Sequence, residues 1–424
     1  MLRRMFAKCV AGAAALVVLL PVLTLGAGSA SAVEAGLPTL RSPSFAGASV
    51  SGTPAISGPI RSPGGPFLYD SQGRVVFLHG VDAVYKRKPF ELYADPGKPW
   101  NFSAGDASLM ARLGFDVVRL GMTWSGLEPG KAKANTPAIC RAGKPTNPHQ
   151  LNPAVLERYV AHLKQTVDLL GRYHIFTILD MHQDVYNQAF DGEGAPAWAV
   201  CTNGVPRTDP PGRWSREYGT TAAQIAYGHF WNNDVRGNLQ GQYDKVWGYV
   251  ASAFRGDPWV IGYDPFNEPF STSLVHYRGE HFDAQIQCFY TGRKYIGVRL
   301  SGAPALHCPR NDPASGVVPT ILANDPSHLV FDENDTYGTL GYVTNLGPMR
   351  LRNLVYNVHL YCGARSPVTG NPTNVSVCAR EAARSLGKRY LVRPEMASHT
   401  QPGGPAWLVT EFGATSSAPY LARV

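Results

Sequence analysis

The sequence predicts an α/β protein built as a (β/α)8 barrel of the TIM type. Apolar, β-branched segments alternate with longer amphipathic segments from residue 75 onward, which is the pattern of repeated strand–helix units around a parallel sheet. The chain has about 360 residues after residue 65, a length that a barrel with insertions reaches. Polar side chains, beginning with His79, stand near the ends of the strand-like segments. We therefore predict one catalytic barrel domain over residues 66–424.

Seven strands and four helices are predicted in order along this domain. Each strand is a short apolar run, and each helix repeats apolar residues every three or four positions, as in Leu156, Tyr159 and Leu163. Residues 67–74 are predicted to form a small hairpin that closes the floor of the barrel. The predicted strands are residues 75–81, 117–121, 175–181, 260–263, 329–332, 354–359 and 407–411, and the predicted helices are residues 104–113, 153–173, 243–254 and 282–300.

The eighth strand–helix unit of such a barrel is not found in the sequence. The seventh predicted strand ends at Glu411, and only residues 412–424 follow it. That length is too short for the helix, strand and helix that would complete the barrel. We expect the domain to be truncated after strand seven.

The first 32 residues are organised as a secretory signal peptide. Basic residues precede an apolar core at residues 10–25, and residues 30–32 offer a small-residue cleavage site. We expect a secreted protein that leaves by the general export route rather than the twin-arginine route, although an arginine doublet is present. Residues 33–65 are rich in Ala, Gly, Ser, Pro and Thr, a composition that predicts a flexible leader.

The charge of the chain excludes some partners. The formal net charge is +8, and removal of Arg3, Arg4 and Lys8 with the signal peptide leaves +5 for residues 33–424. A charge of this size does not support nucleic-acid binding and implies at most weak, transient attraction to an anionic membrane or micelle. We expect a monomer.

Six cysteines follow the predicted signal peptide. An even number in an exported chain predicts disulfide bonds, whereas the absence of a Cys-x-x-Cys spacing argues against a zinc site. Several pairings are possible, and we favour neighbours because two of the resulting loops are short. The favoured pairs are Cys140 with Cys201, Cys288 with Cys308, and Cys362 with Cys378.

Two glutamates follow apolar strands and form a candidate catalytic pair. Glu268 comes after residues 260–263, and Glu411 ends residues 407–411. Hydrolysis of a glycosidic bond needs one carboxyl that stays protonated to release the leaving group and a second that stays ionised. A retaining mechanism places the two carboxyls about 5 to 5.5 Å apart, and an inverting mechanism about 6.5 to 9.5 Å. We predict the shorter separation.

Four motifs resemble glycoside hydrolase family 5 and, within it, the endoglycoceramidase group. NEP at residues 267–269 is similar to the acid/base motif of the family. DMHQD at 180–184, GEGAPAW at 192–198 and TEFG at 410–413 resemble the endoglycoceramidase group more narrowly. The resemblance covers residues 66–415 and implies hydrolysis of the bond between glycan and ceramide in glycosphingolipids. It also implies a tryptophan on strand eight and a carboxyl-terminal β-sandwich, neither of which is found in the 424 residues.

The resemblance implies a role for each site residue and requires no metal or cofactor. Glu268 would be the general acid/base and Glu411 the nucleophile, while Asn267 would bind the 2-hydroxyl of the sugar. Arg119 and Tyr361 would keep the nucleophile ionised. The remaining substrate-binding candidates are Lys86, His182, Asp184, Trp198 for stacking on a sugar face, and His359 beside the acid/base.

Other functions remain open at the level of the sequence. A related glycolipid β-glucosidase or an endo-galactosylceramidase would use the same pair, and so would a cellulase-like polysaccharide hydrolase of family 5. An inactive barrel that binds carbohydrate or lipid would displace one glutamate from the pocket. Neither a Gly-x-Ser-x-Gly nor a His-Glu-x-x-His motif occurs. A ceramide leaving group implies an apolar groove, for which the candidates are Phe270, Phe282, Phe289, Tyr290 and Leu340.

Overall fold

The computed structural model describes most of the predicted domain. None of the helices in the described part of the chain is long and apolar enough to cross a membrane. The predicted signal peptide and most of the predicted leader lie outside the described residues. The described residues are 56–144, 146, 148–208, 214–270, 280–292, 316–333, 335–336, 351–361 and 405–412.

Seven parallel strands form a single sheet whose spatial order follows the chain. Its first and last members lie in contact, so the sheet curves into a nearly closed barrel and the predicted barrel fold is confirmed. A separate antiparallel pair precedes it. The strands are β1 (Leu68–Tyr69), β2 (Val75–Val76), β3 (Gly80–Ala83), β4 (Val117–Met122), β5 (Phe176–Met181), β6 (Val260–Asp264), β7 (Leu329–Glu333), β8 (Leu354–Leu360) and β9 (Ala406–Phe412).

Helices connect the successive strands from β3 to β7, as the repeated strand–helix pattern predicts. The connections from β7 to β8 and from β8 to β9 lie largely outside the described residues. The two 3₁₀ turns among the described residues are Gln188–Phe190 and Ala197–Ala199. The α-helices in the same residues are α1 (Ala104–Arg112), α2 (Trp124–Leu127), α3 (Pro137–Cys140), α4 (Pro153–Arg172), α5 (Trp214–Glu217), α6 (Thr221–Asn232), α7 (Leu239–Ala253), α8 (Glu280–Thr291) and α9 (Val317–Asn324).

Local sequence explains where the best predicted helices begin. The Asn152 side chain accepts a hydrogen bond from the Val155 N–H and caps α4, whose first residue is Pro153. Ser103 and Asp106 form a reciprocal capping box at the start of α1. The predicted helices 104–113, 153–173 and 243–254 are confirmed in position as α1, α4 and α7, although α7 starts four residues earlier than predicted. The fourth, residues 282–300, corresponds to α8, which ends at Thr291, and residues 293–300 lie outside the described part of the chain.

The first predicted strand, residues 75–81, is wrong. Val75–Val76 pairs antiparallel with Leu68–Tyr69, which confirms the floor hairpin, and the first barrel strand is β3, which begins only at Gly80. At Gly80 an added Cβ would lie 1.7 Å from the Val117 carbonyl oxygen, so the close approach of β3 to β4 requires glycine.

Order also begins earlier than the predicted end of the leader at residue 65. Ile60 is buried, and Arg61 exchanges backbone hydrogen bonds with Tyr69 of the floor hairpin. The Ser62 hydroxyl donates to the Leu354 carbonyl at the start of β8. Residues 56–65 therefore pack against the floor of the barrel.

Two apolar cores flank the sheet. The smaller core fills the floor around Ile60, Val76 and Phe331, and the larger core packs the helices against the strands. Three candidates for the apolar groove, Phe270, Phe289 and Tyr290, are buried, and Phe289 packs edge-on against Phe230 and Trp231. These three are core residues, which corrects the groove assignment, while Leu340 and the Phe282 side chain lie outside the described part of the structure.

The first predicted disulfide is confirmed. Cys140 at the end of α3 is bonded to Cys201, which follows the Ala197–Ala199 turn, so two long loops are joined across 61 positions of the chain. Cys288 is disulfide-bonded. Its predicted partner Cys308 and the predicted pair of Cys362 and Cys378 lie outside the described residues.

Candidate active site

Arg119 lies at the centre of the polar end of the barrel. It is buried in β4, and its guanidinium donates to carboxylates that come from the other strands. The contacts are to Glu411 Oε1 at 2.6 Å, Asp264 Oδ2 at 2.8 Å, Asp180 Oδ1 at 3.0 Å, Glu333 Oε1 at 3.2 Å and Asp82 Oδ1 at 3.5 Å.

Glu411 is held in the ionised form. Arg119 Nη1 donates to one carboxylate oxygen at 2.6 Å, and the Tyr361 hydroxyl donates to the other at 2.9 Å. Burial alone would raise the pKa of Glu411, but the positive charges of His359 and Arg119 hold it well below its usual value. A carboxylate in this environment is available as an anion at any physiological pH.

Glu268 follows β6 in a different environment. Its Oε1 lies 3.0 Å from His359 Nδ1, and its backbone has a φ of +41°, in the left-handed region that few side-chain-bearing residues occupy. Burial raises the pKa of Glu268, and the neighbouring His359 opposes this rise. The two glutamates are therefore shifted in opposite directions, as an acid and an anionic partner require.

The two glutamates face each other across a short gap. One side-chain oxygen of Glu268, one of Glu411 and a ring nitrogen of His359 all lie within 4.8 Å of one another. His359 Nδ1 is 3.5 Å from Glu411 Oε2. Both predicted catalytic carboxyls thus belong to one pocket, and neither is displaced from it.

Asn267 and Gln183 fix the backbone beside the acid. The Asn267 side chain accepts from Arg119 Nη2 at 2.8 Å and donates to the Gln183 carbonyl at 2.9 Å. Gln183 Nε2 in turn donates to the carbonyls of Asn267 and Glu268. These bonds join the end of β5 to the end of β6 and hold the acid in place.

A polar cavity of about 420 Å³ is lined by Lys86, Asp184 and Glu193 among others. Lys86 projects into it and forms ion pairs with Asp184 and, at 3.5 Å, with Glu193. His182 Nδ1 lies 2.7 Å from the buried Asp180, and although burial lowers the pKa of His182, Asp180 raises it well above its usual value. Together with His182, which lies 3.8 Å from Asp184 and 3.7 Å from Glu193, the cavity lining offers both donors and acceptors, as recognition of sugar hydroxyls requires.

Trp198 is not available to stack on a sugar in this structure, which corrects the predicted role. Its side chain is 0% exposed because it stacks on His149 and packs edge-on against Trp124. Its indole N–H donates to the Glu128 carbonyl at 3.1 Å. Trp124 is buried as well, so both tryptophans support the loops around the site.

His79 does not belong to this site either. It immediately precedes β3, at the end of the barrel opposite the glutamates, where its backbone N–H donates to Asp116. Sequence reasoning also missed two buried site carboxylates, Glu193 and Glu333. Glu333 is the last residue of β7, and Glu411 lies near the end of β9. A glutamate at the carboxyl end of a strand is therefore the sequence signal that could have identified Glu333.

The spacing of three side-chain groups among the described residues would admit a metal ion, but their charge state does not favour one. Lys86 and Arg119 already neutralise the carboxylates, and the raised pKa values of His182 and His359 keep these rings protonated and unable to ligate. The expectation of no metal stays a prediction. The groups are Asp82, His182 and Glu411; His182, Asp184 and Glu193; and Glu268, His359 and Glu411.

Comparison with known proteins identifies the family. Residues 97–422 match the model of the cellulase family, glycosyl hydrolase family 5. The chain belongs to glycosyl hydrolase family 5. This membership confirms the family resemblance inferred from the NEP motif, and the matched region contains both glutamates.

Among individual relatives, endoglycoceramidase of Hydra vulgaris is 30% identical over 224 residues, which cover 48% of this chain and 39% of that protein. The chain spans about two fifths of the length of the curated relatives it matches.

Two solved structures share the fold. Endo-glycoceramidase II from Rhodococcus sp., as its ganglioside GM3 complex, has a TM-score of 0.55 at 23% identity and covers 76% of this chain and 67% of its own. The structure of endogalactoceramidase has a TM-score of 0.54 at 24% identity and covers 78% of this chain and 65% of its own.

Proposed function

We propose that this family 5 chain carries the catalytic site of a retaining β-glycosidase that cleaves the bond between glycan and ceramide in glycosphingolipids. Glu268 acts as the general acid/base and Glu411 as the nucleophile. The observation that carries the proposal is the separation of at most 4.8 Å between an oxygen of each carboxyl. That distance suits direct attack on the sugar and leaves too little space for the intervening water of an inverting enzyme.

The first step forms a covalent glycosyl-enzyme. A Glu411 oxygen attacks the anomeric carbon as the bond from that carbon to the ceramide oxygen breaks, and Glu268 donates its proton to the departing oxygen. Arg119 and Tyr361 keep Glu411 ionised for this attack. Burial raises the pKa of Glu268, which favours the protonated form that donates to the leaving group.

The second step returns the enzyme to its starting state. Glu268, now ionised, removes a proton from water as the water oxygen attacks the anomeric carbon and the ester bond to Glu411 breaks. Two displacements at one carbon retain the β configuration. The Asn267 amide lies beside the pair for a bond to the 2-hydroxyl, and Lys86, His182 and Asp184 offer donors and acceptors to the more distant hydroxyls.

The substrate class is inferred from similarity. The curated relative from Hydra vulgaris is an endoglycoceramidase, and the DMHQD and GEGAPAW segments that suggested this group contribute Asp184 and Glu193 to the polar cavity. We infer a glycosphingolipid substrate, with transient contact to a membrane or micelle. Secretion by the predicted signal peptide and a monomeric state complete the proposal.

A product analysis tests both halves of this function. The full chain is incubated in detergent with a ganglioside, a glucosylceramide, a galactosylceramide and a soluble cello-oligosaccharide, and the products are identified by mass. We expect intact oligosaccharide and ceramide from the ganglioside, and none from a Glu411→Gln control. Release from the cello-oligosaccharide alone would reject the lipid substrate and leave the glycosidase, whereas no release from any substrate would reject the glycosidase itself.

A further inference from the structure

Glu333 is the last residue of β7, and it contacts both the backbone of Glu268 and the ring of His359. Its side chain is buried. Glu333 Oε2 accepts the backbone N–H of Glu268 at 2.6 Å, and Oε1 lies 2.8 Å from His359 Nε2. Asn357 and Arg119 also donate to Oε1, at 2.9 and 3.2 Å.

The first contact bears on the backbone of the acid. Glu268 has a φ of +41°, a conformation that is unfavourable for residues with a Cβ and persists only where the surroundings hold it. Glu333 holds the N–H side, and Gln183 and Thr336 donate to the Glu268 carbonyl at 3.0 and 2.8 Å. The Glu333 contact is charge-assisted and short, so it is the stronger restraint.

The second contact bears on the charge beside the acid. His359 lies between Glu333 on its Nε2 side and Glu268 and Glu411 on its Nδ1 side. The only described cation in contact with Glu333 besides His359 is Arg119. An anion at the Nε2 side favours the imidazolium, which places a positive charge between the two catalytic carboxyls.

We propose that Glu333 is a positioning residue that acts through two neighbours, fixing the left-handed backbone of Glu268 and keeping His359 charged. The inference rests on the proposed glycosidase activity and extends it to a carboxylate outside the catalytic pair. Glu333 therefore controls both where the acid stands and the pH at which it gives up its proton.

The direction of the pH effect follows from the charges. Although burial lowers the pKa of His359, Glu333 is the largest influence that raises it. Without that anion His359 loses its proton at lower pH, and Glu268 and Glu411 then lose a neighbouring cation that lowers the pKa of each. Both limbs of the pH profile of kcat/KM therefore move to higher pH.

The Glu333→Gln variant tests the charge and keeps an oxygen that can accept the Glu268 N–H. On an aryl β-glucoside, we expect both limbs of the pH profile to rise by about one unit, the lower end of what a neighbouring charge produces. An unshifted profile would overturn the role through His359. The matched control is Glu157→Gln, an exposed carboxylate on α4, which should leave the profile unchanged.

The Glu333→Ala variant tests the position of the acid. We expect kcat/KM, which reports the step in which Glu268 acts as the acid, to fall about 100-fold for a glycoside with a poor leaving group, within the range of general acid catalysis, and to change little for a dinitrophenyl glycoside that needs no proton. An equal fall for both leaving groups would reject positioning. If this variant does not fold, the Glu333→Gln profile decides alone, and an active wild type with no effect in either variant rejects this inference without touching the proposed function.

Discussion

Arg119 explains why two glutamates of one pocket behave differently. Its Nη1 donates to Glu411, whereas the Glu268 side chain lies beside the His359 ring. The permanent charge of a guanidinium stabilises the nearer carboxylate, and burial acts against the ionisation of the farther one. Neighbouring residues on other strands thus set the opposite pKa shifts of the two carboxyls.

Tyr361→Phe should weaken the nucleophile without removing it. The variant loses the hydroxyl that donates to Glu411 at 2.9 Å, and a hydrogen bond to a charged group contributes about 1.5 to 3 kcal/mol. We expect kcat/KM on an aryl β-glucoside to fall about 10- to 100-fold, with the acidic limb of the pH profile shifted upward. Tyr69→Phe in the floor hairpin is the control, and equal activity of both variants would contradict the role of Tyr361.

At the residue scale, the sequence predicted the catalytic residues that lie in short recognisable motifs, Glu268 in NEP and Glu411 in TEFG. Glu268 and Glu411 occupy one pocket because each follows an apolar strand, and parallel strands bring such ends together. Glu333 was missed because its function depends on contacts with Glu268 and His359 that no local pattern encodes. Trp198 was assigned to the sugar because its motif cannot indicate that His149, from a distant loop, covers its ring.

At the element scale, strand positions were predictable wherever burial was continuous. All residues of β4, β5 and β6 are buried, so their apolar runs end within one or two residues of the predicted bounds. Residues 75–81 were wrongly predicted as one strand because this stretch contributes to two. Val75–Val76 pairs with β1, whereas Gly80 and Val81 pair with β4. The helix α6 was missed because nearly all its faces are buried, which weakens the amphipathic pattern that signals a helix.

Gly171 should be indispensable to the packing of α4. An added Cβ there would lie 2.4 Å from the Trp259 ring, so we expect Gly171→Ala to destabilise the protein by about 1 to 3 kcal/mol despite the better helix propensity of alanine. Gly105→Ala in α1 is the matched control, because an added Cβ there would approach only the Ser103 hydroxyl, at an ordinary contact distance of 3.4 Å. Thermal unfolding measures both variants, and equal midpoints would disprove the contact.

The Cys140–Cys201 disulfide should stabilise the two loops that it joins. Closing 61 positions of the unfolded chain corresponds to about 4 kcal/mol in the chain-entropy description. We expect the Cys140→Ser, Cys201→Ser double variant to unfold at lower temperature and denaturant concentration than the wild type. An unchanged denaturant midpoint would mean that the native loops gain nothing from the bond.

At the scale of the whole molecule, the barrel was predictable from strand–helix alternation because each strand must be covered by the helix that follows it. The packing of residues 56–65 was not predictable from composition. Only the folded floor supplies Tyr69 and Leu354 as partners for this segment. Its burial of Ile60 is a consequence of the closed sheet rather than of its own sequence.

The stability of the whole protein should be greatest in mildly acidic solution. Burial raises the pKa of Glu91 and of Glu193 from 4.5 to about 8, so the folded state binds more protons than the unfolded state in that window, and stability falls as pH rises through it. The raised pKa values of His182 and His359 act in the same direction above 6.5.

We therefore expect a higher unfolding temperature near pH 5.5 than near pH 8.5, within the range spanned by these raised pKa values. Glu91→Gln, far from the glutamate pair, should reduce the difference because it removes one of the responsible carboxyls. A midpoint that is constant or rises over this range would refute the sign of the effect.

The contacts of Arg119 with carboxylates from five other strands also constrain how the chain can reach its native state. A folding intermediate with only the first few strands assembled would leave this guanidinium, or the acids gathered around it, dehydrated without full compensation. Such a species is energetically unfavourable, so partial sheets gain little until the last strand docks. Arg119, which lowers the pKa of Glu411, thereby also makes formation of the sheet from β3 to β9 cooperative.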